Sequence, residues 1–384
     1  MAKLGEVFTI ASGGTPDKKK PFYYENGTIP WVKTGDLKTQ YVPEGIECIT
    51  EEGLDNSSAK LFPPNTVLVA MYGATIGACS ILPYEAATNQ ACAAFLPNEN
   101  VLPTYLYYFL SSKREQFVKD GVGGAQPNIS AGYLKNVQFG LIPMQQQIDI
   151  VEKLDKVEKL IALWKEQLAK LDELVKARFV ELFGDCLTNP KGWKTKYLED
   201  IAEVGSSKRV FVEELQEDGI PFYRGTEVGA LAEGKQITPE LFITEQHYAE
   251  LCKATGAPRI GDLLMPSICP DGRIWVVDTD EPFYFKDGRV LWVHAIDASY
   301  NPVFLLYTLK DRIMTDYSSI ASGTTFAELK IFALKKCRVF DVPIALQNQF
   351  AAFVEQTDKS KSAVQKGLEE LELLKKALMQ KYFG

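Results

Sequence analysis

Lysines beside glycines and small hydroxylated residues form a cluster near the start of the chain that could bind phosphate. Residues 12–20 (SGGTPDKKK) join two glycines and Thr15 to three consecutive lysines. The lysines supply positive charge and the glycines a flexible backbone, which together suit a close approach to phosphate groups. Residues 206–209 (SSKR) occupy the corresponding place in the second half of the chain. A single run of this kind is commonly solvated surface without a binding role. Because the run is repeated in the second half, phosphate binding and solvated surface are equal alternatives.

Side chains able to read base edges occur in other loops of both halves. A cation lies near an aromatic residue at 31–33 and again at 223–224, and the loop at 71–77 matches the position of the loop at 266–273. Arginine can pair with guanine, and asparagine or glutamine can pair with adenine. The alternative is that each of these residues only stabilises the loop or turn in which it lies. The candidate DNA-binding residues are Thr15, Lys18, Lys19, Lys20, Lys33, Tyr72, Thr75, Asn89, Gln90, Gln126, Asn128, Ser206, Lys208, Arg209, Arg224, Thr226, Ser267, Arg273, Thr324 and Thr325.

Motifs for catalysis or cofactor binding are absent from the sequence. There is no GxxxxGK[ST] phosphate loop, no GxGxxG after a strand, and no HExxH or GxSxG. The seven cysteines are scattered and never spaced as CxxC, and the chain has only two histidines, His247 and His294. We therefore expect no catalytic residues, no metal site and no cofactor in this chain.

An internal repeat sets the organisation of the chain. Residues 143–184 align without a gap on residues 343–384, at an offset of 200. A weaker repeat precedes it, in which IPWVKTGDL at 29–37 resembles IPFYRGTEV at 220–228. The sequence thus predicts two copies of one unit, a globular domain followed by a helix.

The repeated segments have the apolar spacing of long helices. Apolar residues recur at alternating intervals of three and four between Pro143, which excludes helix, and Gly184, which ends it. The predicted seam residues are Leu154, Val157, Ile161, Trp164, Leu168, Leu171, Val354, Val364, Leu368, Leu371 and Leu378. Thr357 and Lys361 also fall on the seam, so we expect one looser end. Such a narrow seam favours a coiled coil over ordinary core helices of a bundle.

The globular parts contain short β-like runs punctuated by glycine and proline, with short helices that begin at Pro103 and Pro302. The predicted fold class is therefore α+β. The predicted domains are 1–142 and 186–342 for the globular parts, with 143–185 and 343–384 for the two helices.

These motifs together resemble the specificity subunit of type I restriction-modification systems, over the whole chain. The matching segments are SGGTP at 12–16, IPWVKTGDL at 29–37, QPNIS at 126–130, IPMQQQIDIVEKLD at 142–155, LFGD at 182–185 and NPKGW at 189–193. The second half departs from the pattern, because SSKR replaces SGGTP and GTTFA at 323–327 replaces QPNIS. VPIALQNQFAAFVE at 342–355 keeps the opening of the helix.

The resemblance implies a subunit without catalytic activity that selects DNA sequence for its partners. Two target recognition domains would alternate with two helices, packed as an antiparallel coiled coil about a pseudo-two-fold, and each domain would read half of a split double-stranded DNA target. Two methyltransferase (M) subunits using S-adenosylmethionine would dock on the helices. Restriction (R) subunits would complete the complex. ATP and magnesium would be bound by these partner subunits.

Composition fits a folded protein that works in the cytoplasm. The chain has 384 residues, 46% hydrophobic and 24% charged, and lacks both an apolar run of membrane-spanning length and an N-terminal signal pattern. The net charge of -8 argues against holding DNA by bulk electrostatics alone. The alternatives are a coiled-coil adaptor that assembles partners without reading DNA, and a stand-alone methyltransferase or nuclease.

Overall fold

A computed structural model describes residues 1–122, 128–323 and 327–384. The candidate residues Gln126, Thr324 and Thr325 lie outside these described residues. The chain divides into two compact units. The first comprises Met1–Glu166 with Gln365–Gly384, and the second comprises Gln167–Val364.

The first unit contains two four-stranded sheets and one short two-stranded pair. Its strands are β1 (Ala2–Lys3), β2 (Ile10–Ser12), β3 (Ile29–Val32), β4 (Cys48–Ile49), β5 (Leu61–Phe62), β6 (Val67–Ala70), β7 (Cys79–Ile81), β8 (Ala86–Thr88), β9 (Cys92–Phe95) and β10 (Gln138–Phe139). One sheet has the antiparallel order β2-β9-β6-β7 and the other the order β4-β3-β8-β5, while β1 pairs with β10. In the second sheet β3 and β8 are parallel, with Trp31 opposite Ala87.

Short helices accompany these sheets. They are α1 (Leu4–Val7), α2 (Glu51–Asp55), α3 (Pro103–Ser112), α4 (Arg114–Asp120) and α5 (Ala131–Asn136). A long helix, α6 (Met144–Phe183), follows. The predicted helix start at Pro103 is confirmed, because a proline at the first helical position has no amide hydrogen to leave unpaired.

The second unit repeats this topology with small departures. Its strands are β11 (Thr195–Tyr197), β12 (Glu203–Gly205), β13 (Ile220–Tyr223), β14 (Phe242–Ile243), β15 (Leu263–Pro266), β16 (Trp275–Val276), β17 (Tyr284–Phe285), β18 (Val290–His294), β19 (Ala321–Ser322), β20 (Glu328–Leu329) and β21 (Arg338–Phe340). Its helices are α7 (Gly225–Ala232), α8 (Glu245–Thr255), α9 (Pro302–Ile320), α10 (Ile331–Lys335) and the long α11 (Ile344–Phe383). The sheet β12-β18-β15-β16 corresponds to β2-β9-β6-β7. The parallel pair β13 and β17 corresponds to β3 and β8. The predicted α+β class and internal repeat are confirmed.

A buried glutamine fixes the start of each long helix in the same way. The Gln147 amide donates to the carbonyls of Asn100 (2.8 Å) and Ile142 (2.9 Å), and its oxygen accepts from the backbone amide of Leu102 (2.9 Å). Gln347 makes the equivalent three bonds, to Ser299, Val342 and Asn301. Because a buried amide is costly unless every group is bonded, each glutamine ties its helix to the loop before α3 or α9.

The first part of α6 faces the last part of α11 in the first unit, and the remaining parts of the two helices face each other in the second. In the first unit Lys165 pairs with Glu372 at 2.9 Å, and Lys375 pairs with Glu158. As residue numbers rise along one helix they fall along the other, so the helices are antiparallel. In the second unit Lys361 pairs with Asp172. The predicted end of α6 is confirmed, because Gly184 follows Phe183 with a φ of 85°.

The predicted seam residues lie on the facing sides of these helices. Leu154, Val157, Ile161, Val354 and Leu368 are buried. The remaining six are partly buried, namely Trp164, Leu168, Leu171, Val364, Leu371 and Leu378. Thr357 is also buried, and its hydroxyl donates to the Phe353 carbonyl at 2.9 Å. The polar positions of the seam therefore have bonded partners.

Each unit has its own aromatic core that includes a helix end. Phe383 packs on Tyr105 and Phe109 in the first unit, and Phe183 packs on Phe304 and Phe350 in the second. Among the described helices none is long and apolar enough to cross a membrane.

Candidate nucleic-acid interface

The first basic loop has a fixed backbone that neighbouring side chains hold. The Gly14 amide donates to the Thr88 carbonyl (2.9 Å), and the Gly14 carbonyl accepts from the Trp31 indole (3.0 Å). The Tyr24 hydroxyl donates to the Pro16 carbonyl at 2.6 Å. The expectation of a flexible backbone here is wrong, since Gly13 packs closely on Thr88 at the end of β8 and Gly14 packs closely on Ser58 and Ala59.

Several predicted base-reading residues of the first unit are brought together at one edge of its sheets. The Thr15 hydroxyl donates to the side-chain oxygen of Gln90. Asn89 precedes Gln90 directly; its backbone amide donates to the Val32 carbonyl at 3.0 Å, and its side-chain oxygen accepts from the Ala91 amide at 3.1 Å. Polar side chains from the loop after β2 and the turn between β8 and β9 therefore form one cluster.

A second part of this edge comes from the loop between β6 and β7. Tyr72 is exposed and forms an isolated bridge with Asn128. The hydroxyl of Thr75 donates to the Tyr72 carbonyl at 3.3 Å. The Met71 amide donates to the Ala91 carbonyl at 2.8 Å, which joins this loop to the turn that carries Asn89 and Gln90.

The lysines of residues 18–20 are exposed on the same loop as Thr15. Lys20 donates to the Tyr23 hydroxyl at 3.0 Å, and this hydrogen bond raises the pKa of Lys20. Lys18 and Lys19 have side chains without an ion pair to any described residue. Lys33, by contrast, is paired with Glu47 and lies 5.9 Å from the Trp31 ring. Of the predicted cations in this unit, Lys18, Lys19 and Lys20 therefore keep a charge that no described carboxylate balances.

The corresponding loop of the second unit divides into structural and exposed residues. The Ser206 hydroxyl donates to the Val290 carbonyl (2.6 Å) and accepts from the Gly288 amide (2.9 Å), so it serves the fold. Lys208 and Arg209 are exposed, and the Arg209 guanidinium lies 5.3 Å from the Phe211 ring. Neither cation has a carboxylate partner in the described part of the chain.

Carboxylates balance the other predicted cations of the second unit. Arg224 donates to Glu227 and, at 2.9 Å, to Glu240, and the Glu227 hydrogen bond raises the pKa of Arg224. Although burial raises the pKa of Glu227, hydrogen bonds from Arg224, Thr226 and the backbone lower it to about 2. Arg273 pairs with Asp271 at 2.8 Å. The charges of both arginines are therefore balanced by carboxylates of the same unit.

Two predicted residues of this unit bond to their own neighbours, the buried Ser267 and the exposed Thr226. Ser267 is only 2% exposed, and its backbone bonds to Arg289 and Leu329. The Thr226 hydroxyl donates to Glu227 at 2.9 Å. The surface loop predicted at 266–273 is thus buried at its start.

Exposed phenylalanines next to the basic runs were missed in the sequence. Phe22 is 48% exposed and Phe211 is 55% exposed. Each follows a basic run, Lys18–Lys20 or Lys208–Arg209, in the matching place of its unit. An apolar side chain beside cations is suited to groove contacts such as the thymine methyl group. The sequence signal that could have identified them is that an aromatic residue follows the basic run in both halves.

One cleft, of about 420 Å³, lies in the second unit away from these loops, and its polar groups bond to one another. The Asp262 carboxylate accepts from the Trp292 indole and the Arg259 amide, both at 2.9 Å. His294 stacks on Trp292 with ring centroids 3.8 Å apart. Within residues 1–122, 128–323 and 327–384, no group of side chains has the composition of a metal site.

The family model for the type I restriction modification DNA specificity domain matches residues 1–173 and 190–373. The chain belongs to this family. The resemblance carried by SGGTP, IPWVKTGDL and the helix openings is confirmed. As a member of the type I specificity family, this protein recognises DNA sequence for a restriction-modification system and is not itself an enzyme.

Similar proteins extend over much or all of this specificity subunit. The type I restriction enzyme MjaIX specificity subunit of Methanocaldococcus jannaschii is 27% identical over 413 residues, covering 99% of this chain and 91% of that protein. The EcoR124I/EcoR124II specificity subunit of Escherichia coli is 30% identical over 189 residues, covering 48% of this chain and 46% of that protein.

Solved structures of related systems share the fold. The S subunit of a type I restriction-modification system from M. genitalium superposes with a TM-score of 0.56 at 17% identity, covering 100% of this chain and 95% of that chain. A chain from a structure concerned with complex assembly and conformational transition of the type I R-M system superposes with a TM-score of 0.63 at 19% identity, covering 100% and 96%.

Proposed function

We propose that each globular part reads one half of a split double-stranded DNA target. The observation that carries this proposal is the repetition of one surface in both units. A basic run that has no carboxylate partner in the described part of the chain, followed by an exposed phenylalanine, lies on the same two-sheet scaffold at residues 18–22 and 208–211. Phosphate contacts from the basic runs would set the position, and base contacts from the neighbouring loops would give the sequence preference.

The base contacts of the first half-site would come from the cluster around Gln90. Amide side chains can make bidentate bonds to adenine, and Thr15, Asn89, Gln90 and Asn128 lie along one edge of the sheets. In the second unit we place the phosphate contacts at Lys208 and Arg209, because carboxylates already bind Arg224 and Arg273.

We assign residues 1–142 and 186–342 as the two target recognition domains, and residues 143–185 and 343–384 as the helical spacers. The shared topology of the two sheet systems and the 40-residue lengths of α6 and α11 support this division. At 1.5 Å per residue each helix is about 60 Å long, so helix length would set the spacing between half-sites.

Two methyltransferase subunits would dock on these helices, and restriction subunits would join them. Leucines that the α6–α11 seam leaves exposed support such docking, since apolar side chains on the unpaired faces of the helices are suited to a further partner. They are Leu160, Leu163, Leu174, Leu373 and Leu374. S-adenosylmethionine, ATP and magnesium would be bound by the partners, and the complex would act in the cytoplasm.

Adenine methylation across a host genome tests this function. The chain is co-expressed with its cognate methyltransferase subunit, and methylated positions are mapped by single-molecule sequencing. We expect a split motif with a fixed spacer that disappears when this chain is omitted. An assembled complex that methylates DNA without any motif would overturn the proposal and favour an adaptor.

The variant Lys18→Ala/Lys19→Ala/Lys20→Ala localises the contact. Each lost phosphate contact lowers the dependence of log K on log salt by about 0.9, so three would lower it by up to about 2.7. We expect weaker DNA binding by a complex that still assembles with unchanged stoichiometry. Normal binding and methylation by this variant would remove the basic loop from the interface.

A further inference from the structure

A glycine with positive φ occupies the same place in the corresponding loops of the two units. Gly77 (φ 75°) precedes β7 in the loop after β6, and Gly272 (φ 66°) precedes β16 in the loop after β15. Both glycines are buried. These are the loops that carry Tyr72 in the first unit and Arg273 in the second.

A basic side chain covers each of these glycines. A Cβ at Gly77 would lie 2.9 Å from Cγ of Arg114, and one at Gly272 would lie 2.8 Å from Cγ of Lys310. The aliphatic stem of each cation therefore packs on the loop backbone at a distance that only glycine permits. Arg114 and Lys310 are nevertheless exposed residues. Long basic side chains commonly bury the stem in this way and keep the charged group in water.

The two cations reach this place from different positions of the repeat. Measured from the helix-starting prolines, Pro103 and Pro302, Arg114 lies 11 residues on and Lys310 lies 8 residues on. Arg114 begins α4, whereas Lys310 lies inside α9. Arg114 and Lys310 are therefore not equivalent residues of the repeat, although their side chains cover the same place in the two units.

Neither charge is balanced within the described residues. Arg114 and Lys310 have no ion pair or side-chain hydrogen bond there, unlike Lys33, Arg224 and Arg273. A cation with its stem fixed and its charge free is already positioned for an anion, so little side-chain freedom is lost on binding.

We propose that Arg114 and Lys310 bind backbone phosphates of the DNA target and set the position of the β6–β7 and β15–β16 loops in the groove. This inference rests on the proposed function. Phosphate is the ligand chemistry that an unpaired cation beside a loop of the proposed interface fits, and such contacts fix register without reading sequence. Each cation would act on its own half-site.

Salt dependence of DNA binding by the complex with methyltransferase subunits tests the proposal. The probe is a duplex that carries the split motif found by methylation mapping, and binding is measured by fluorescence anisotropy between 50 and 200 mM salt. Arg114→Gln and Lys310→Gln remove the charge and keep the methylene groups that pack on the glycines. We expect each to lower the salt slope by about 0.9 and to weaken binding about eightfold at 0.1 M salt.

Matched controls separate a phosphate contact from a general loss of charge. Lys135 and Lys335 are also related by the repeat, in the last turns of α5 and α10, and Lys135→Gln and Lys335→Gln should leave the slope unchanged. Arg114→Lys should retain the slope, because a point charge suffices for phosphate. The preferred sequence should be the same for every variant.

Unchanged slopes for Arg114→Gln and Lys310→Gln, in a wild-type complex that still recognises its motif, would overturn this inference alone. A wild-type complex without sequence preference would instead overturn the proposed function. An altered motif in either variant would show base contact and contradict the phosphate assignment.

Discussion

At the scale of single residues, the glycines of the first basic loop shape the candidate interface by leaving room for other backbone. A Cβ on Gly13 would lie 2.0 Å from the Thr88 carbonyl oxygen, and one on Gly14 would lie 2.1 Å from Ser58 Oγ and 2.6 Å from the Ala59 amide nitrogen. Backbone atoms cannot rotate away as a flexible side chain can. The lysines that follow are therefore presented from a rigid base.

Gly14→Ala tests this role. Overpacking of a buried position typically costs about 1 to 3 kcal/mol, and we expect a loss in that range, measured as a lower urea midpoint with an unchanged m-value. The control is Gly35→Ala, since a Cβ at Gly35 would meet no described atom within 4 Å other than those of its immediate chain neighbours. That change should alter stability by less than about 0.5 kcal/mol. Equal stability of the two variants would refute the packing argument.

Residue types were predictable from the sequence, whereas their partners were not. Lys33, Arg224 and Arg273 have the right chemistry for DNA, but their charges are balanced by acids such as Glu47, which lies 14 residues from Lys33. Folding decides such pairings. The same limit applies to Arg114, whose position over Gly77 arises only when α4 packs on the β6–β7 loop.

At the scale of elements, α6 and α11 make one unusual contact, in which the ring of Trp164 packs against Gly367 instead of an apolar side chain. A Cβ on Gly367 would lie 1.7 Å from Cζ3 of the Trp164 ring, so the indole occupies the space beside this glycine. Glycine inside a helix costs about 1 kcal/mol relative to alanine. The offset of 200 places Gln167 at the matching position of α6, so only one of the two helices has this gap.

Gly367→Ala should destabilise the protein even though alanine is the better helix former. We expect a net loss of about 1 to 3 kcal/mol, because the indole must move out of its site. In the background of Trp164→Leu the same change should cost at least about 1 kcal/mol less, measured by urea unfolding of all four proteins. Gly132→Ala in α5 is the control, since a Cβ there meets only Ser130 Oγ, at 3.5 Å. Additive effects of the two substitutions would exclude the contact.

Local patterns in the sequence were sufficient to predict both long helices. The three-and-four spacing and the stop at Gly184 depend on neighbouring residues only, and α6 and α11 have the expected extent. The roles of Gln147 and Gly367 were not predictable, because each depends on a segment remote in sequence, the loop around Asn100 and the ring of Trp164. The pairing of short strands such as β3 with β8 has the same non-local origin.

At the scale of the whole molecule, charge limits what the chain can do alone. Residues 1–142 contain 11 Lys and Arg against 13 Asp and Glu, and residues 186–342 contain 18 against 23. Both proposed recognition domains are thus acidic as a whole, and their proposed DNA contacts would depend on a few cations that have no carboxylate partner among the described residues. An acidic protein repels the duplex at long range, so partner subunits must supply much of the phosphate neutralisation.

Weak DNA binding by the isolated chain follows from this distribution. Five basic-loop cations, Lys18, Lys19, Lys20, Lys208 and Arg209, would give a slope of log K against log salt no steeper than about -4.5, and Arg114 and Lys310 would extend it to about -6.3. The assembled complex should show a steeper slope and higher affinity on the same duplex. The measurement is a salt titration of both samples, with a shuffled duplex as the control for specificity. Tight, salt-insensitive binding by the isolated chain would mean that non-ionic contacts dominate, and that the partners are needed for catalysis alone.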